Sequence, residues 1–433
     1  MDEKLKKSLM ETYKNKFKIN KFVPGKSTVP VSGKVFDEKE ILLMTEAVLD
    51  GWWTEGRFNN KFEKRLAKFI GVSYCSTVNS GSSANLAALT SLTSRLLGNK
   101  AIKKGDEIIT VAAGFPTTVN PIIQIGCVPV FVDIELKTLS IETEQLKKAL
   151  NKKTKAVMIA HTLGNPFDIE KVVKFCKNNN LWLIEDNCDA LGSEYKNKRT
   201  GTFGDISTLS FYPAHHITTA EGGAILTNNP VLHKIIRSIR DWGRDCWCPT
   251  GHDDTCKKRF KWKWKELPDG YDHKYVYSHV GYNFKMTDIQ AACGLAQMDK
   301  LEKFIIQRQR NYNILKEKLS KFDNYFYIAE PTKSSKPSWF GLLMTLKDGC
   351  GFSRENFMEY LNSKKIGTRL LFAGNITKQP YFVNNKIKFR KVGSLKNTDK
   401  VMNDTFWIGV FPGLTKGMID WIEKSFNDYL KDK

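Results

Sequence analysis

Alternating strand-like and helix-like patterns between Phe36 and Asn229 constrain the fold of this chain more than any other feature of its sequence. Apolar runs of strand length recur there, and helical or turn stretches separate most of them. The runs are Glu107 to Ala112, Val128 to Val132, Ala156 to His161, Leu181 to Glu185, Ile206 to Phe211 and Ala224 to Thr227. This alternation predicts an α/β fold with a large, mostly parallel sheet that helices cover.

The pattern changes after this region, and the changes indicate domain boundaries. Residues 242–282 form an aromatic, charged segment with few apolar periods, which is too long for an ordinary loop. From Thr287 a long helical pattern runs toward Lys321, and the remaining residues predict a smaller α/β domain. We therefore expect an N-terminal extension at 1–35, a large domain at 36–300 with an insertion at 242–282, and a small C-terminal domain at 301–433.

The chain of 433 residues carries a formal net charge of +22. Its lysines are spread from end to end without a nucleic-acid recognition motif, so we expect a solvated basic surface that attracts a nucleotide-linked substrate rather than a nucleic acid. No apolar run is long enough to cross a bilayer. The stretch from Met1 to Lys18 lacks the apolar core of a signal peptide, so we expect a cytoplasmic protein without membrane contacts.

Nine cysteines in a chain without an export signal are not expected to form a disulfide framework. Three of them, Cys246, Cys248 and Cys256, lie close together in the insertion with the spacing C-x-C-x7-C. Cys188 precedes Cys246 by 58 positions. Four thiolates suit an iron–sulfur cluster or a zinc ion, and the spacing alone does not choose between these metals and ordinary burial.

Three stretches next to predicted strands are candidates for cofactor contacts. Asn79 to Asn85 opens a helix whose first-turn amides, near Gly81 and Ser82, suit a phosphate, although the same residues also make a good N-cap. Phe115 follows a strand end, where its ring can stack on a flat cofactor or pack into the core. Asp186 ends a buried strand, where a carboxylate can pair with a protonated ring nitrogen or form an ordinary salt bridge.

The loop from Ser210 to Gly223 joins two predicted strands and carries two adjacent histidines, His215 and His216. Loops at the ends of buried strands are where α/β folds keep their chemistry. A polar connector whose histidines bond to backbone carbonyls would show the same pattern. The loop alone therefore does not decide between a catalytic and a structural role.

Together these stretches resemble the DegT/DnrJ-type sugar aminotransferases, a branch of the aspartate-aminotransferase superfamily. The resemblance extends from Gly51-Trp52-Trp53-Thr54-Glu55-Gly56 to the segment Gly281 to Ala292. It implies the PLP-dependent transferase fold type I and a homodimer. It also implies individual roles: Gly81, Ser82 and Ser210 at the cofactor phosphate, Phe115 on the cofactor ring, Asp186 at the ring nitrogen, and Asn283 at the phosphate of the partner subunit's cofactor.

The chain departs from the aminotransferase pattern at His215, where the family has a Schiff-base lysine. An imidazole cannot form that bond, so the cofactor would not be tethered and ordinary transamination would be lost. A histidine can still remove the C4′ proton of pyridoxamine phosphate. In this the chain resembles histidine-bearing 3-dehydratases that make 3,6-dideoxyhexoses. We expect His215 to be the catalytic base and His216 to be its structural neighbour.

Those dehydratases include metal-free members and members with a 2Fe-2S cluster that receive electrons from a reductase. The spacing of the cysteines resembles that of the second kind, so we expect a 2Fe-2S cluster on Cys188, Cys246, Cys248 and Cys256. The expected function is a pyridoxamine 5′-phosphate-dependent 3-dehydratase of a CDP-linked 4-keto-6-deoxyhexose. It would work with a flavin or iron–sulfur reductase toward surface polysaccharide.

Two other functions remain compatible with the sequence. One is a cluster-free 3-dehydratase of a GDP-linked 4-keto-6-deoxyhexose, and the other is a non-catalytic protein that binds sugar nucleotides. Arg369, Asn375 and Gln379 are candidates for substrate contacts in the small domain, although simple surface positions would explain them equally well. No residue identifies the base, so CDP follows from the resemblance alone.

Overall fold

The computed structural model of the chain describes residues 1–17 and 21–431. Lys18, Ile19 and Asn20 of the expected N-terminal extension, and Asp432 and Lys433 of the expected small domain, lie outside the described residues. The fold is α/β, with a large mixed sheet, a smaller four-stranded antiparallel sheet, a minor three-stranded antiparallel sheet, and helices packed against the first two. The alternating pattern therefore predicts the fold class correctly.

The strands and helices have the following bounds. The strands are β1 Tyr74–Val78, β2 Glu107–Val111, β3 Val128–Val132, β4 Thr154–Ala160, β5 Trp182–Asp186, β6 Glu194–Tyr195, β7 Lys198–Arg199, β8 Ile206–Ser210, β9 Gly223–Thr227, β10 Phe326–Ile328, β11 Ser335–Lys336, β12 Gly341–Leu346, β13 Thr368–Leu370, β14 Arg390–Lys391 and β15 Thr405–Gly409. The α-helices are α1 Glu3–Lys16, α2 Glu38–Leu49, α3 Arg57–Ile70, α4 Gly81–Ser91, α5 Pro116–Gln124, α6 Leu146–Ala149, α7 Ile169–Asn178, α8 Pro230–Arg240, α9 Asp288–Met298, α10 Leu301–Leu319, α11 Arg354–Ser363, α12 Pro380–Asn384, α13 Lys396–Asp404 and α14 Lys416–Leu430.

The large sheet has the strand order β1-β9-β8-β5-β4-β2-β3-β14. Every pair from β8 to β14 is parallel, whereas β9 runs antiparallel to both of its neighbours. Strands β2, β5, β8 and β9 are buried along their whole length, as expected where helices cover both faces of a sheet.

The parallel arrangement brings several chain segments to one edge of the large sheet. The carboxyl ends of β2, β4, β5 and β8 all lie at that edge, because parallel strands point the same way. Phe115, Thr162, Cys188 and His215 follow these strands in that order, and all four line one cavity. The topology therefore gathers residues that are far apart in the sequence.

The smaller sheet has the order β10-β12-β15-β13, and all of its pairs are antiparallel. Its core is rich in aromatic side chains: Phe326, Phe357, Phe406 and Phe426 are buried and contact one another. Strand β14 follows β13 in the chain but joins the edge of the large sheet beside β3. The C-terminal part of the chain therefore contributes to both sheets, and the expected domain boundaries stay a prediction.

Two elements differ from the sequence-based expectation. Strand β1 was not predicted, because its central residues, Ser76 and Thr77, are polar although they are buried. The long helix expected from Thr287 toward Lys321 is instead two helices, α9 and α10, which are separated at Asp299 and Lys300. Lys300 Nζ forms an ion pair with Glu40 Oε1 at 2.6 Å, which links the junction between α9 and α10 to α2.

In the described part of the chain, no helix combines the length and the apolar composition needed to span a membrane.

Candidate active site

A cavity of about 750 Å³ opens at the carboxyl edge of the large sheet, and residues of the smaller sheet close its other side. Most of the residues predicted for cofactor binding and catalysis line it: Gly81, Ser82, Phe115, Asp186, Ser210 and His215. No lysine side chain of residues 1–17 and 21–431 lines this cavity. The structure thus brings the predicted residues together around a histidine and without a Schiff-base lysine.

The start of α4 forms one wall of the cavity. Ser80 caps the helix, because its Oγ accepts a hydrogen bond from the backbone N–H of Ser83 at 3.0 Å. Gly81 lies so close to Ser210 that a Cβ at residue 81 would come within 2.5 Å of the Ser210 Cβ. The first-turn amides and the hydroxyl groups of Ser82 and Ser210 therefore surround a space suited to a phosphate.

Asp186 lies on the floor of the cavity, where neutral donors hold its carboxylate. Asn85 Nδ2 and Thr118 Oγ1 donate hydrogen bonds to Oδ2 at 2.8 and 2.7 Å, and the backbone N–H of Cys188 donates to Oδ1 at 3.2 Å. Thr208 Oγ1 donates in turn to Asn85 Oδ1 at 2.6 Å, which fixes the orientation of that amide. The carboxylate is thus positioned to face a cationic group of a ligand.

Phe115 stands at the N-terminus of α5 and is not part of the core. Its side chain is 48% exposed, and its ring contacts the ring of Phe372 edge to face, with the centroids 5.3 Å apart. Both residues line the cavity. A flat ligand above Asp186 would therefore find an aromatic face available for stacking.

His215 reaches the cavity from the loop after β8. Its Nδ1 lies 3.3 Å from Asp189 Oδ1, an ion-pair distance without the alignment of a hydrogen bond. Its backbone N–H donates to the Tyr212 carbonyl at 2.9 Å, and its carbonyl accepts from Arg308 Nη2 at 3.1 Å. The ring packs on Phe340, with the centroids 5.3 Å apart. Because Asp189 faces Nδ1, Nε2 is the nitrogen left for proton transfer.

His216 points away from the cavity. Its side chain is buried, and Nε2 lies 2.7 Å from the Ser338 carbonyl oxygen, to which a neutral ring donates a hydrogen bond. Burial, with a smaller contribution from nearby Arg308, holds the pKa of His216 well below its usual range. The two adjacent histidines therefore have different surroundings, and only His215 can reach a ligand in the cavity.

Asn283 does not line the cavity of its own chain. Its neighbours Tyr282 and Phe284 pack against the core, and the Phe284 carbonyl accepts a hydrogen bond from the Asn79 N–H at 2.7 Å. Asn283 itself is exposed on the opposite side of this extended segment. Its predicted contact with the phosphate of a partner subunit's cofactor stays a prediction.

Three of the four predicted metal ligands lie together in the insertion. Cys246, Cys248 and Cys256 line one small cavity, together with Asp253, Asp254, His273 and the cations Arg259 and Lys274, both of which form ion pairs with Asp253. Burial is the largest single influence on Cys248 and opposes its ionisation, but hydrogen bonds from Thr255, whose Oγ1 donates to Sγ at 3.0 Å, and from Cys246 and Cys256 together lower the pKa of this thiol. Burial raises the pKa of the neighbouring Cys246 thiol, so the cysteines of this cavity do not share one tendency to ionise.

Cys188 lies elsewhere, in the cavity with Asp186 and His215. Burial, and to a smaller extent the Asp186 charge, raise the pKa of its thiol well above the usual range. Within the described ranges 1–17 and 21–431, no three His, Cys, Asp or Glu side chains are arranged as metal ligands. The four cysteines therefore do not form a finished cluster site within this single chain.

The three candidate substrate contacts of the small domain have different positions. Arg369 lines the cavity. Asn375 is buried and donates from Nδ2 to Asp399 Oδ1 at 2.7 Å, and Gln379 Nε2 donates to the Ala373 carbonyl at 2.9 Å. Asn375 and Gln379 therefore serve the local structure, and Arg369 alone of the three faces the cavity.

The sequence did not point to Asn85 and Thr118, which donate hydrogen bonds to Asp186, or to Asp189, which faces His215. A signal was present for Asp189, because it follows Asp186 by three residues in the same strand-end loop. Asn85 and Thr118 carry no comparable signal, since their hydrogen bonds depend on the packing of α4 and α5 against the sheet.

Comparison with known proteins places this site in context. The model of the DegT/DnrJ/EryC1/StrS aminotransferase family matches residues 35–427. The lipopolysaccharide biosynthesis protein RfbH of Salmonella typhimurium is 56% identical, over 94% of this chain and 93% of its own length. The dTDP-4-dehydro-2,6-dideoxy-D-glucose 3-dehydratase of Saccharopolyspora spinosa is 48% identical, over 94% of this chain and 88% of its own.

The solved structures include a similar dehydratase. The GDP-4-keto-6-deoxy-D-mannose-3-dehydratase of E. coli with bound hydrated PLP matches with a TM-score of 0.82 and 30% sequence identity. The match covers 92% of this chain and 98% of that chain. The overall fold is thus shared with an enzyme whose structure contains bound hydrated PLP.

Proposed function

From the premise that the chain belongs to the DegT/DnrJ/EryC1/StrS aminotransferase family, we propose that it is a pyridoxamine-phosphate-dependent 3-dehydratase of a nucleotide-linked 4-keto-6-deoxyhexose. The observation that carries this proposal is the cavity itself, which combines Gly81, Ser82, Phe115, Asp186 and Ser210, the residues expected to contact the cofactor from the same chain, with His215 and with no lysine among its described lining residues. Relatives with 3-dehydratase names support the reaction class.

The residues around the cavity fit the cofactor. The start of α4 and Ser210 would hold the phosphate, Phe115 would cover the ring, and Asp186 would pair with the ring nitrogen. Gly81 is the residue that permits the close approach of α4 to Ser210. When bound, pyridoxamine phosphate supplies an amine for the keto carbon of the sugar and a ring that accepts electrons.

In this proposal His215 is the general base. Its Nε2 would remove the proton from C4′ of the cofactor while the sugar loses the C3 hydroxyl group. Asp189 would hold the imidazole in place through Nδ1, 3.3 Å away. Phe340 excludes water from one face of the ring.

The finer proposal is that the substrate carries CDP and that a 2Fe-2S cluster on Cys188, Cys246, Cys248 and Cys256 receives electrons from a flavin or iron–sulfur reductase. Support comes from three of the four thiols, which line one small cavity. Against a cluster within one chain stands the separate position of Cys188. The complete reaction would contribute to 3,6-dideoxyhexose synthesis in the cytoplasm.

A homodimer is also part of the proposal. Asn283 is exposed beside the phosphate-binding end of α4 and does not line the cavity of its own chain, as expected for a residue that serves the partner subunit's cofactor. Asn283→Ala should weaken pyridoxamine phosphate binding in a dimer whose mass, measured by light scattering, is unchanged. Unaltered cofactor affinity would contradict this role.

The function is tested by incubating the purified protein anaerobically with CDP-4-keto-6-deoxyglucose, pyridoxamine phosphate and a flavin reductase, with the products identified by mass. We expect loss of the C3 oxygen, and the GDP- and dTDP-linked sugars assayed in parallel identify the nucleotide. His215→Asn should abolish turnover, whereas His233→Asn, which alters a histidine of α8 outside both cavities, should not. Unchanged turnover in His215→Asn would favour a non-catalytic binding protein or another base.

A cluster-free dehydratase is the second candidate, because the four cysteines do not converge in one chain. Cys246→Ser separates the two candidates, with Cys350→Ser as the control for a cysteine outside both cavities. If a cluster is required, Cys246→Ser should lose the visible absorption after anaerobic reconstitution and stop at dehydration. Full deoxygenation by Cys246→Ser without any reductase, with an amino donor such as glutamate to return the cofactor to its amine form, would establish the cluster-free enzyme.

A further inference from the structure

We propose that Arg369 binds the diphosphate of the nucleotide-linked substrate and so fixes the anionic end of that substrate in the cavity. The inference takes the substrate class from the proposed function, but it does not depend on which reaction follows. Its basis is the charge of the cavity, the position of β13, and the free donors of the guanidinium group.

The charges that line the cavity point to Arg369. Among the described residues it is the only lysine or arginine side chain there, whereas Asp186, Asp189 and Glu221 contribute carboxylates. A diphosphate that enters such a cavity is repelled by the carboxylates unless a cation compensates. Arginine also matches phosphate oxygens with two parallel N–H donors, which makes it well suited to this group.

Arg369 and His215 are positioned to contact opposite ends of one ligand, the diphosphate and the reacting sugar. The His215 ring contacts Phe340 at 5.3 Å, and Phe340 contacts Trp407 at 5.5 Å. Trp407 of β15 lies directly opposite Arg369 of β13 in the antiparallel ladder. Phe340 and Trp407 thus lie between Arg369 and His215, and a sugar ring can pack along these two aromatic side chains.

The guanidinium group of Arg369 is available to a ligand. Its side chain is exposed, and its only hydrogen bond within the described structure runs from Nη1 to the carbonyl of Thr368 at 2.8 Å. No carboxylate of residues 1–17 and 21–431 lies within ion-pair distance of it. Since a guanidinium carries five N–H donors, most of them can serve an anion.

The phosphate of the cofactor would occupy a different place. Its contacts are expected at the start of α4, which packs on the large sheet, whereas Arg369 belongs to the smaller sheet. Arg369 would therefore bind the substrate without contributing to cofactor binding. A substitution of Arg369 should therefore weaken substrate binding alone, whereas a substitution at the start of α4 should weaken cofactor binding.

Isothermal titration calorimetry of the pyridoxamine-phosphate-loaded protein tests the inference with CDP, GDP, dTDP and inorganic pyrophosphate as probes. Arg369→Ala should weaken binding of the nucleotides and of pyrophosphate about tenfold or more, and by a similar factor for each, because the contact is to phosphate. Arg369→Lys should fall between Arg369→Ala and the wild type, since lysine keeps the charge but loses the paired donors. Arg310→Ala, at an exposed arginine of α10 outside the cavity, is the matched control and should bind as the wild type does.

Several outcomes would overturn the inference. It fails if folded Arg369→Ala binds CDP and pyrophosphate as the wild type does, or if the wild type binds none of the probes. It also fails if the loss of affinity in Arg369→Ala differs between cytosine, guanine and thymine nucleotides. Dehydration by Arg369→Ala with an unchanged KM would refute it while the proposed function stands. Conversely, Arg369-dependent binding of CDP by a protein without dehydratase activity would refute the proposed function and leave this inference intact.

Discussion

His215 stands where the family resemblance implies a Schiff-base lysine, and its neighbours show how one substitution would change the chemistry that a cavity can support. The start of α4, the Phe115 ring and the Asp186 carboxylate line the cavity around it. The difference is that residue 215 has no side-chain amine that could bond to the cofactor. The cofactor would then depend on non-covalent contacts alone, which allows its amine form to stay bound while it reacts with a sugar.

The first prediction restores the amine. His215→Lys should form a covalent Schiff base with pyridoxal phosphate, because the side chain of residue 215 lies in the cavity with the cofactor contacts. The measurement is a visible absorption band that persists after gel filtration, with the added mass retained after borohydride reduction. The wild type should show neither. A His215→Lys protein that binds pyridoxal phosphate without a covalent bond would show that residue 215 lies too far from the reactive carbon.

The second prediction concerns Asp189, which faces His215 Nδ1 at 3.3 Å. Asp189→Asn should lower kcat by about tenfold or more, because the imidazole loses the carboxylate that orients it. KM for the sugar nucleotide and the Kd of pyridoxamine phosphate should remain close to the wild type. Asp189→Glu should restore part of kcat, which a purely structural residue would not show. A large change in cofactor affinity would instead assign Asp189 to cofactor binding.

At the scale of elements, the close approach of α4 to the end of β8 forms the proposed binding site for the cofactor phosphate. Gly81→Ala would place a methyl group 2.5 Å from the Ser210 Cβ, so α4 or Ser210 must move. We expect a loss of about 1–3 kcal/mol in the free energy of unfolding. We also expect at least tenfold weaker binding of pyridoxamine phosphate, measured by fluorescence titration.

The matched control for this variant is Gly417→Ala. Gly417 lies in α14, where the added Cβ would meet Phe22 at an ordinary 3.4 Å. It should leave cofactor affinity unchanged, and alanine should favour the helix slightly. Equal cofactor affinity in Gly81→Ala and the wild type would contradict the phosphate-binding role of α4.

The strands that carry the site could be predicted from the sequence because they are short, apolar and buried on both faces. Strand β1 escaped prediction, since Ser76 and Thr77 break its apolar pattern while the fold buries them. The histidine, the aspartate and the glycine of the site were recognisable from their places in motifs. The separation of Cys188 from the other three cysteines was not, because residue spacing does not say which cavity a side chain enters.

At the scale of the whole molecule, we expect stability to depend on pH because His216 is buried and His233 is half-buried. Burial lowers the pKa of His216 well below its usual value and, with a smaller contribution from Arg237, lowers the pKa of His233 to about 4. The unfolded chain binds protons at these residues near pH 6.5, whereas the folded chain does not. The free energy of unfolding should therefore fall as the pH decreases from about 7 toward 4.

The measurement is the midpoint of urea unfolding at pH 7.5 and at pH 5.5. His233 stacks on Tyr74 with the ring centroids 4.6 Å apart, so His233→Gln should lower stability at pH 7.5. It should also reduce the difference between the two pH values by on the order of 1 kcal/mol, because glutamine does not titrate. A variant with the wild-type pH dependence would show that His233 does not contribute to it.

The two-residue strand β14 has a consequence for how the chain can be divided. It covers the outer side of β3 through parallel pairing at Val130 and Phe131, and Arg390 joins Glu107 of the neighbouring strand at 2.7 Å. A fragment that ends before residue 390 would leave the backbone of an apolar strand open as a template for other chains. Shortened versions of this protein should therefore self-associate through that exposed rim, and removing the short strand would cost more solubility than its length suggests.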